Sequence, residues 1–247
     1  MSELRVASWN VLHRVHGLNW GESVVAAFPE EKPRIEGITA RVRALLDDGV
    51  QAIGLQEVSG DLLAELRRAL VGRGYLFAYR LPRLPRMRQE GPSGLVDVSE
   101  HLVVVAADPR TTLYRAKAFQ EDHGKGFLGV NLGEGVRFLC THVSFGARSR
   151  VQLGLLATEG SLAPVGAVLV GDFNAPMGAV AAGLGEGWML SDLRGQGPTR
   201  VNVSGKQDKV IDHLAVHRGK IREARVMKAE GLSDHHLVIG VIDGMER

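Results

Sequence analysis

The stretch Ala167-Val168-Leu169-Val170-Gly171-Asp172-Phe173-Asn174 anchors the reading of this chain. Its four leading apolar residues read as a buried strand that stops at the glycine. An aspartate and an asparagine then stand just past the strand's C-terminal end, where either residue ordinarily forms a turn or caps a helix. The same arrangement returns along the chain. Asn10 follows Val6-Ala7-Ser8-Trp9, Gln56-Glu57 follows Ile53-Gly54-Leu55, and His142 follows Phe138-Leu139-Cys140-Thr141. Asp212-His213 lies inside the run Val210–Val216, and Ser233-Asp234-His235 precedes the run Leu237–Ile242. Residues at strand ends can converge on one crevice while the sheets hold their backbones rigid. Six such placements point to one built site rather than to six unrelated turns.

Further strands are expected at Leu4–Trp9, Ala52–Leu55, Tyr75–Tyr79, Leu102–Ala106, Thr112–Phe119, Phe127–Asn131, Val136–Thr141 and Ile221–Met227. Ile35, Ile38, Val42, Leu45 and Leu46 recur at helical spacing, with Pro33 read as the first helical position and Gly49 just past the end. Helices are also expected over Asp61–Val71 and near Ser149–Thr158. This order predicts an α/β (α+β) protein, a four-layer α/β/β/α sandwich of two stacked mixed sheets with helices outside.

The 247 residues suit a single domain spanning 1–247, since folds of this kind often run to about 200–250 residues. No repeat, low-complexity tract or composition shift marks a linker. The longest apolar run, Leu102 to Ala107, is far short of the ~18 residues of a membrane helix. The lone Cys140 leaves no disulfide framework and no cysteine-based zinc site, and its strand neighbours make it a small buried residue. No export signal is visible, so the expectation is a soluble cytoplasmic protein without membrane attachment or an obligate protein partner. The net charge of +2 permits a phosphate-bearing partner without demanding one.

Glu57, Asp172, Asp212 and Asp234, with Asn10 and Asn174, form an oxygen-rich set. Hard cations such as Mg²⁺ take oxygen ligands, and one or two carboxylates suffice because such ions keep several waters. Carboxylates, a divalent ion and two histidines suit attack of water on a phosphorus ester.

The motifs S-W-N (Ser8–Asn10), L-Q-E (Leu55–Glu57), T-H (Thr141-His142), G-D-F-N (Gly171–Asn174), I-D-H (Ile211–His213) and S-D-H (Ser233–His235) resemble those of the endonuclease/exonuclease/phosphatase superfamily, in its order and over nearly the whole chain. That group includes pancreatic-type DNases, apurinic endonucleases, deadenylases, sphingomyelinases and inositol polyphosphate phosphatases. The resemblance implies that Glu57 is the principal metal ligand, with Asn10 and Asp234 completing the shell directly or through water. The ion implied is Mg²⁺, with Mn²⁺ a substitute. Asp172 would orient or deprotonate the attacking water, and Asn174 would bond the nucleophile or a phosphate oxygen. His235 would be the catalytic imidazole and Asp212 its carboxylate partner. His142 would contact the phosphate or help the leaving group, with Glu90 or Glu100 as candidate partners.

Trp9 and Phe173 are expected in the core, and His213 and His236 outside the reacting group, because neighbours on a strand face opposite ways. Arg80-Leu81-Pro82-Arg83-Leu84-Pro85-Arg86-Met87-Arg88 is a stiff basic loop. Its Arg86 and Arg88 are candidate substrate contacts, as is Arg150, two residues before Gln152. His13, Arg14, His16 and Trp20 form a candidate second wall, where Trp20 either stacks on a base or packs on its own loop. The leading expectation is a metal-dependent phosphodiesterase or nuclease acting on a phosphate ester, nucleic acid or nucleotide. A phosphatase for a phosphomonoester or a terminal 2′,3′-cyclic phosphate is the alternative, although Phe173-Asn174-Ala175-Pro176 departs from the inositol phosphatase pattern. An inactive binding or scaffold protein is the third reading, opposed by the intact carboxylate–histidine set.

Overall fold

Residues 3–88, 90–133, 135–201 and 208–245 are described by the computed structural model. The elements in chain order are β1 (Leu4–Asn10), α1 (Arg14–Trp20), α2 (Ser23–Ala27), α3 (Glu31–Asp47), β2 (Ala52–Ser59) and α4 (Gly60–Ala69). There follow β3 (Tyr75–Arg80), β4 (Glu100–Ala106), β5 (Thr112–Phe119), β6 (Asp122–Asn131), β7 (Val136–His142) and α5 (Arg148–Ser161). The chain ends with β8 (Gly166–Asp172), α6 (Met177–Leu184), β9 (Trp188–Leu190), β10 (Asp212–His217), β11 (Lys220–Met227) and β12 (Leu237–Asp243).

Two six-stranded mixed sheets result, ordered β11-β12-β1-β2-β4-β3 and β5-β6-β7-β8-β10-β9. Their inner faces meet in a core that includes Val6, Val104, Leu128, Phe138, Val170, Leu214 and Val238. On the outside of the first sheet, α3 and α4 pack Ile38, Val42, Leu45, Leu62 and Leu66 against Ile53, Leu55 and Val103. On the outside of the second, α5 and α6 pack Leu153, Leu156, Val180 and Leu184 against Phe127, Leu139 and Leu169. Central strands such as β4 and β8 are therefore buried on both faces and read as unbroken apolar runs. The edge strands β5 and β11 expose alternate residues and carry charges, which discourages pairing with another chain.

Pro33 is the third residue of α3, not the first. The two extra residues begin with buried Glu31, which accepts from Arg34 and from Arg14. Four short elements carry no clear periodicity in the sequence: α1, α2, α6 and β9. Tertiary contact forms them. A Cβ on Gly17 would fall 2.6 Å from Val25, and one on Gly183 2.5 Å from Leu153, so these glycines permit α1–α2 and α5–α6 approach while hiding the helical pattern. Strand β6 starts at Asp122, ahead of the expected Phe127. Among the described residues, no helix is long and apolar enough to cross a membrane.

Candidate active site

Register explains why distant residues meet. Strands β1 and β2 run parallel with Asn10 beside Gln56, and β7 and β8 run parallel with His142 beside Asp172. Strand β10 is antiparallel to β8, which sets its first residue, Asp212, beside Asp172. Strand β12 is antiparallel to β1, so Asp234 and His235, just before it, stand at the Asn10 end. All these ends share one edge of the sandwich.

At that edge Asn10 Nδ2 donates to Glu57 Oε1 and to Asp172 Oδ2, both at 3.1 Å, while its Oδ1 accepts from the Leu12 amide at 3.0 Å. The His13 amide donates to Glu57 Oε2 at 2.9 Å. A β-bulge interrupts the pairing of β2 with β4 at Gln56 and Glu57, and Glu57 has φ +60°. Leu12 (φ +57°) and Asn174 (φ +49°) share this left-handed backbone, which costs a non-glycine residue about 1–2 kcal/mol. Strain of this kind gathers where a fold aims side chains at a common point.

His235 Nδ1 lies 2.9 Å from Asp212 Oδ2, and Nε2 faces Asp172 Oδ2 at 3.8 Å and Asp234 Oδ2 at 4.0 Å. His142 Nε2 is 3.3 Å from Asp172 Oδ2 and 3.8 Å from Glu57 Oε1. The Asn174 side-chain amide donates to the Val143 carbonyl at 2.8 Å, and its backbone N–H to Asp172 Oδ1 at 2.9 Å. The structure thus brings Asn10, Glu57, His142, Asp172, Asn174, Asp212, Asp234 and His235 to one place.

Burial opposes every charge in this nest. It pushes the Glu57 carboxyl up, yet His16, His142, Lys125 and the His13 amide together hold Glu57 well below the usual carboxylate range. Asp172 is likewise held well below its ordinary value, with His235, His142 and Lys125 outweighing burial. Burial lowers the His235 imidazole, but Asp212, Asp234 and Asp172 outweigh it and raise His235 well above the ordinary histidine value. Burial pushes the Asp212 carboxyl up against the pull of His235.

Oxygen donors for a cation are plentiful. Ligand atoms of Asp172, Asp212 and His235 lie within 4.8 Å of one another. Asp234 Oδ1 is buried without a hydrogen-bond partner, an anionic oxygen that a cation would satisfy.

The surroundings hold groups that local sequence does not reveal. Lys125, in the first half of β6, lies against His142 Nε2 and 3.1 Å from Nδ1. Arg200 Nε donates to Asp234 Oδ2 at 3.0 Å and its Nη2 to Glu22 at 3.3 Å. Thr199 Oγ1 accepts from the amides of Ile211 and Asp212, both at 3.0 Å. Glu100 bonds His16 at 2.9 Å rather than His142, and Glu90 is exposed. Lys125 precedes the apolar run that marks β6 in the sequence, and so reads as a loop residue. Arg200 and Thr199 carry no motif of their own.

The candidate walls divide. Arg14 is buried, bonding Glu31 and the carbonyls of Phe28, Pro29 and Ser93, so it holds structure instead of facing substrate. Trp20 is exposed with the Arg88 guanidinium 4.6 Å above its ring. Arg86 and Arg88 lie on a loop pinned by Asn19, and Arg150 is exposed on α5. Arg83 reaches Asp122 at 2.8 Å, which docks the loop beside the strand that carries Lys125. Gln152 grips Ser144 through two hydrogen bonds. Trp9 and Phe173 are buried on the helix-facing sides of the sheets, and the Trp9 indole donates to the His235 carbonyl at 3.0 Å. His213 faces away from Asp212 and bonds the Ala175 carbonyl at 2.9 Å, while His236 accepts from the Ala229 amide at 3.3 Å. Cys140 is buried between the sheets, and burial pushes its thiol up to about 12.

The fold and this edge define a class. The model of the Endonuclease/Exonuclease/phosphatase family matches residues 7–235, and the chain belongs to that family. Solved structures with the same fold include D. rerio TDP2 complexed with single strand DNA product, at 14% identity and TM-score 0.67, covering 98% of this chain and 100% of that one. An endonuclease/exonuclease/phosphatase from Bacteroides vulgatus aligns at 15% identity and TM-score 0.66, over 98% of this chain and 99% of that one. A family protein from Leptotrichia buccalis C-1013-b aligns at 14% identity and TM-score 0.65, over 97% and 99%. No curated protein sequence matches the chain significantly.

Proposed function

We propose that this protein is a divalent-metal-dependent phosphodiesterase or nuclease, working as one catalytic domain, that hydrolyses P–O bonds by attack of water. The observation that carries the reading is the Asn10 amide held 3.1 Å from both Glu57 and Asp172, beside the His235–Asp212 pair. Mg²⁺ or Mn²⁺ fits the donor set, which is all oxygen apart from imidazole, and Glu57, Asp234 and Asn10 would hold it directly or through water. When bound, such an ion polarises a phosphoryl oxygen.

The chain's own residues do the rest. Asp172, kept anionic by its neighbours, orients the water and accepts its proton. His235, kept charged by Asp212, Asp234 and Asp172, offers a positive N–H to the phosphoryl oxygens. Asn174 supports the same oxygens through the amide hydrogen not given to the Val143 carbonyl, and His142 and Lys125 form the far wall. Arg86, Arg88 and Arg150 are the substrate-side cations.

Nucleic acid is the substrate class we favour. The basic loop supports it, as does the likeness to a TDP2 structure holding single strand DNA product. The test is hydrolysis of DNA, RNA, nucleotide and cyclic-phosphate substrates with and without EDTA. EDTA-sensitive cleavage of internal phosphodiesters is expected. Cleavage confined to terminal phosphates would favour the phosphatase alternative, and no EDTA-sensitive hydrolysis at all would overturn the reading.

A further inference from the structure

We infer that His16 and Glu100 form a second histidine–carboxylate pair at this site and that His16 protonates the leaving oxygen; the inference rests on the phosphoesterase reading above. His16 Nε2 lies 2.9 Å from Glu100 Oε2, joining α1 to the first residue of β4. The Glu100 side chain is 3% exposed, and its Oε1 is buried without a hydrogen-bond partner. A buried carboxylate on one ring nitrogen fixes the imidazole's orientation and favours its charged form. Asp212 stands in the same relation to His235, also at 2.9 Å.

The charges around His16 agree with this. Burial lowers its pKa, but Glu57 and Glu100 outweigh that and raise it, against Lys125 on the facing strand. His13, whose ring centroid is 5.4 Å away, is the other titratable group beside it, and burial lowers the His13 pKa. His16 in turn is the cation that most favours the Glu57 carboxylate, which places the pair at the edge of the carboxylate nest.

His142 is poorly suited to the same task. Both of its ring nitrogens already face the Lys125 ammonium. Its side chain is 1% exposed, whereas that of His16 is 27% exposed. Glu100, a carboxylate that could have oriented His142, is committed to His16.

In the reaction, the water oxygen bonds to phosphorus and gives its proton to Asp172. The bond from phosphorus to the leaving oxygen breaks, and its electron pair stays on that oxygen. That oxygen takes the Nδ1 proton of the His16 imidazolium, leaving a neutral ring still bonded to Glu100.

The experiment compares His16→Gln with the unaltered protein, in Mg²⁺ or Mn²⁺, on a short single-stranded DNA and on bis(p-nitrophenyl) phosphate. The DNA expels a poor alkoxide leaving group that needs a proton, and the diester a nitrophenolate that does not. His16→Gln is expected to lower kcat on DNA by ~10²–10⁴-fold, with a loss on the nitrophenyl diester at least about ten times smaller. Glu100→Gln, a change to a positioning residue, is expected to move the alkaline limb of the DNA pH profile to lower pH, because it removes a charge that raises His16. Equal losses on both substrates, or an unmoved alkaline limb in Glu100→Gln, would overturn the inference while leaving the phosphoesterase reading intact. An unaltered protein inactive on both substrates would overturn that reading, and this inference with it.

Discussion

Asn10, at the end of a strand in one sheet, donates to Asp172 Oδ2, at the end of a strand in the other, over 3.1 Å. The same nitrogen reaches Glu57 Oε1 at the same distance. One amide therefore ties the sheets together where their carboxylates meet, and those carboxylates stay anionic because His142, Lys125 and the two raised imidazoles surround them.

Removing a member of this group should abolish most activity. Glu57→Gln and His235→Ala are each expected to lower EDTA-sensitive phosphodiester hydrolysis by ~10²–10⁴-fold. Asn174→Ala should cost about 10²-fold as an absent donor. Steady-state rates with matched circular dichroism spectra check this, and full activity in Glu57→Gln would take Glu57 out of the reaction.

Lys125→Met tests the cation beside His142. Without the fixed positive charge against His142, kcat/KM is expected to drop by about 10²-fold. Lys125→Arg keeps the charge and should recover part of it. A variant as active as the unaltered protein would make Lys125 a bystander.

Stability should depend on pH through His235. Its folded-state pKa is raised above the ordinary 6.5, so its contribution is fully present below that value and is lost as pH rises through the folded-state value. In EDTA the melting temperature is expected to fall on the alkaline side. Asp212→Asn removes the foremost charge raising His235 and should flatten that decline; melts at a series of pH values would show an unchanged slope if the pairing is immaterial.

Gly171→Ala should destabilise the fold and disturb the site together. A Cβ there would lie 2.0 Å from the Thr141 carbonyl oxygen, a backbone atom that cannot swing aside. Overpacking of this sort costs roughly 1–3 kcal/mol, measurable as a lowered urea midpoint. An unchanged midpoint would show that β7 and β8 can part without cost.

The basic loop should act on polynucleotides. Asn19 pins it by donating to the Arg86 carbonyl at 2.9 Å and accepting from the Arg88 amide at 2.8 Å. Replacing Arg86 and Arg88 by Glu is expected to raise KM for single-stranded DNA. It should also reduce the log–log salt slope by about 0.7 for each phosphate that is no longer neutralised. An unaltered slope would place both arginines outside the substrate path.

Most of the framework is legible in advance because burial leaves a local signature. Runs such as Leu102–Ala106 and Ala167–Val170 are apolar at every position since helices or a second sheet cover both faces. Polar residues just beyond those runs stand out for the same reason. Elements without their own pattern escape: α1 and α2 are seven and five residues long, below the length at which a helix holds by itself, and they exist because Val25 and Leu12 pack on Gly17.

Element order and apolar periodicity predict the two-sheet sandwich and the acids, amides and histidines at the strand ends, and the resemblance of six motifs points to the family, because both signals belong to neighbours along the chain. Folding alone decided the partners: Glu100 with His16 instead of His142, Lys125 against His142, Arg200 on Asp234, and Arg14 inside instead of at the cleft. Each of those pairings spans at least 17 residues and depends on strand register and loop path, and a one-residue shift in register would turn the same side chains to the opposite face.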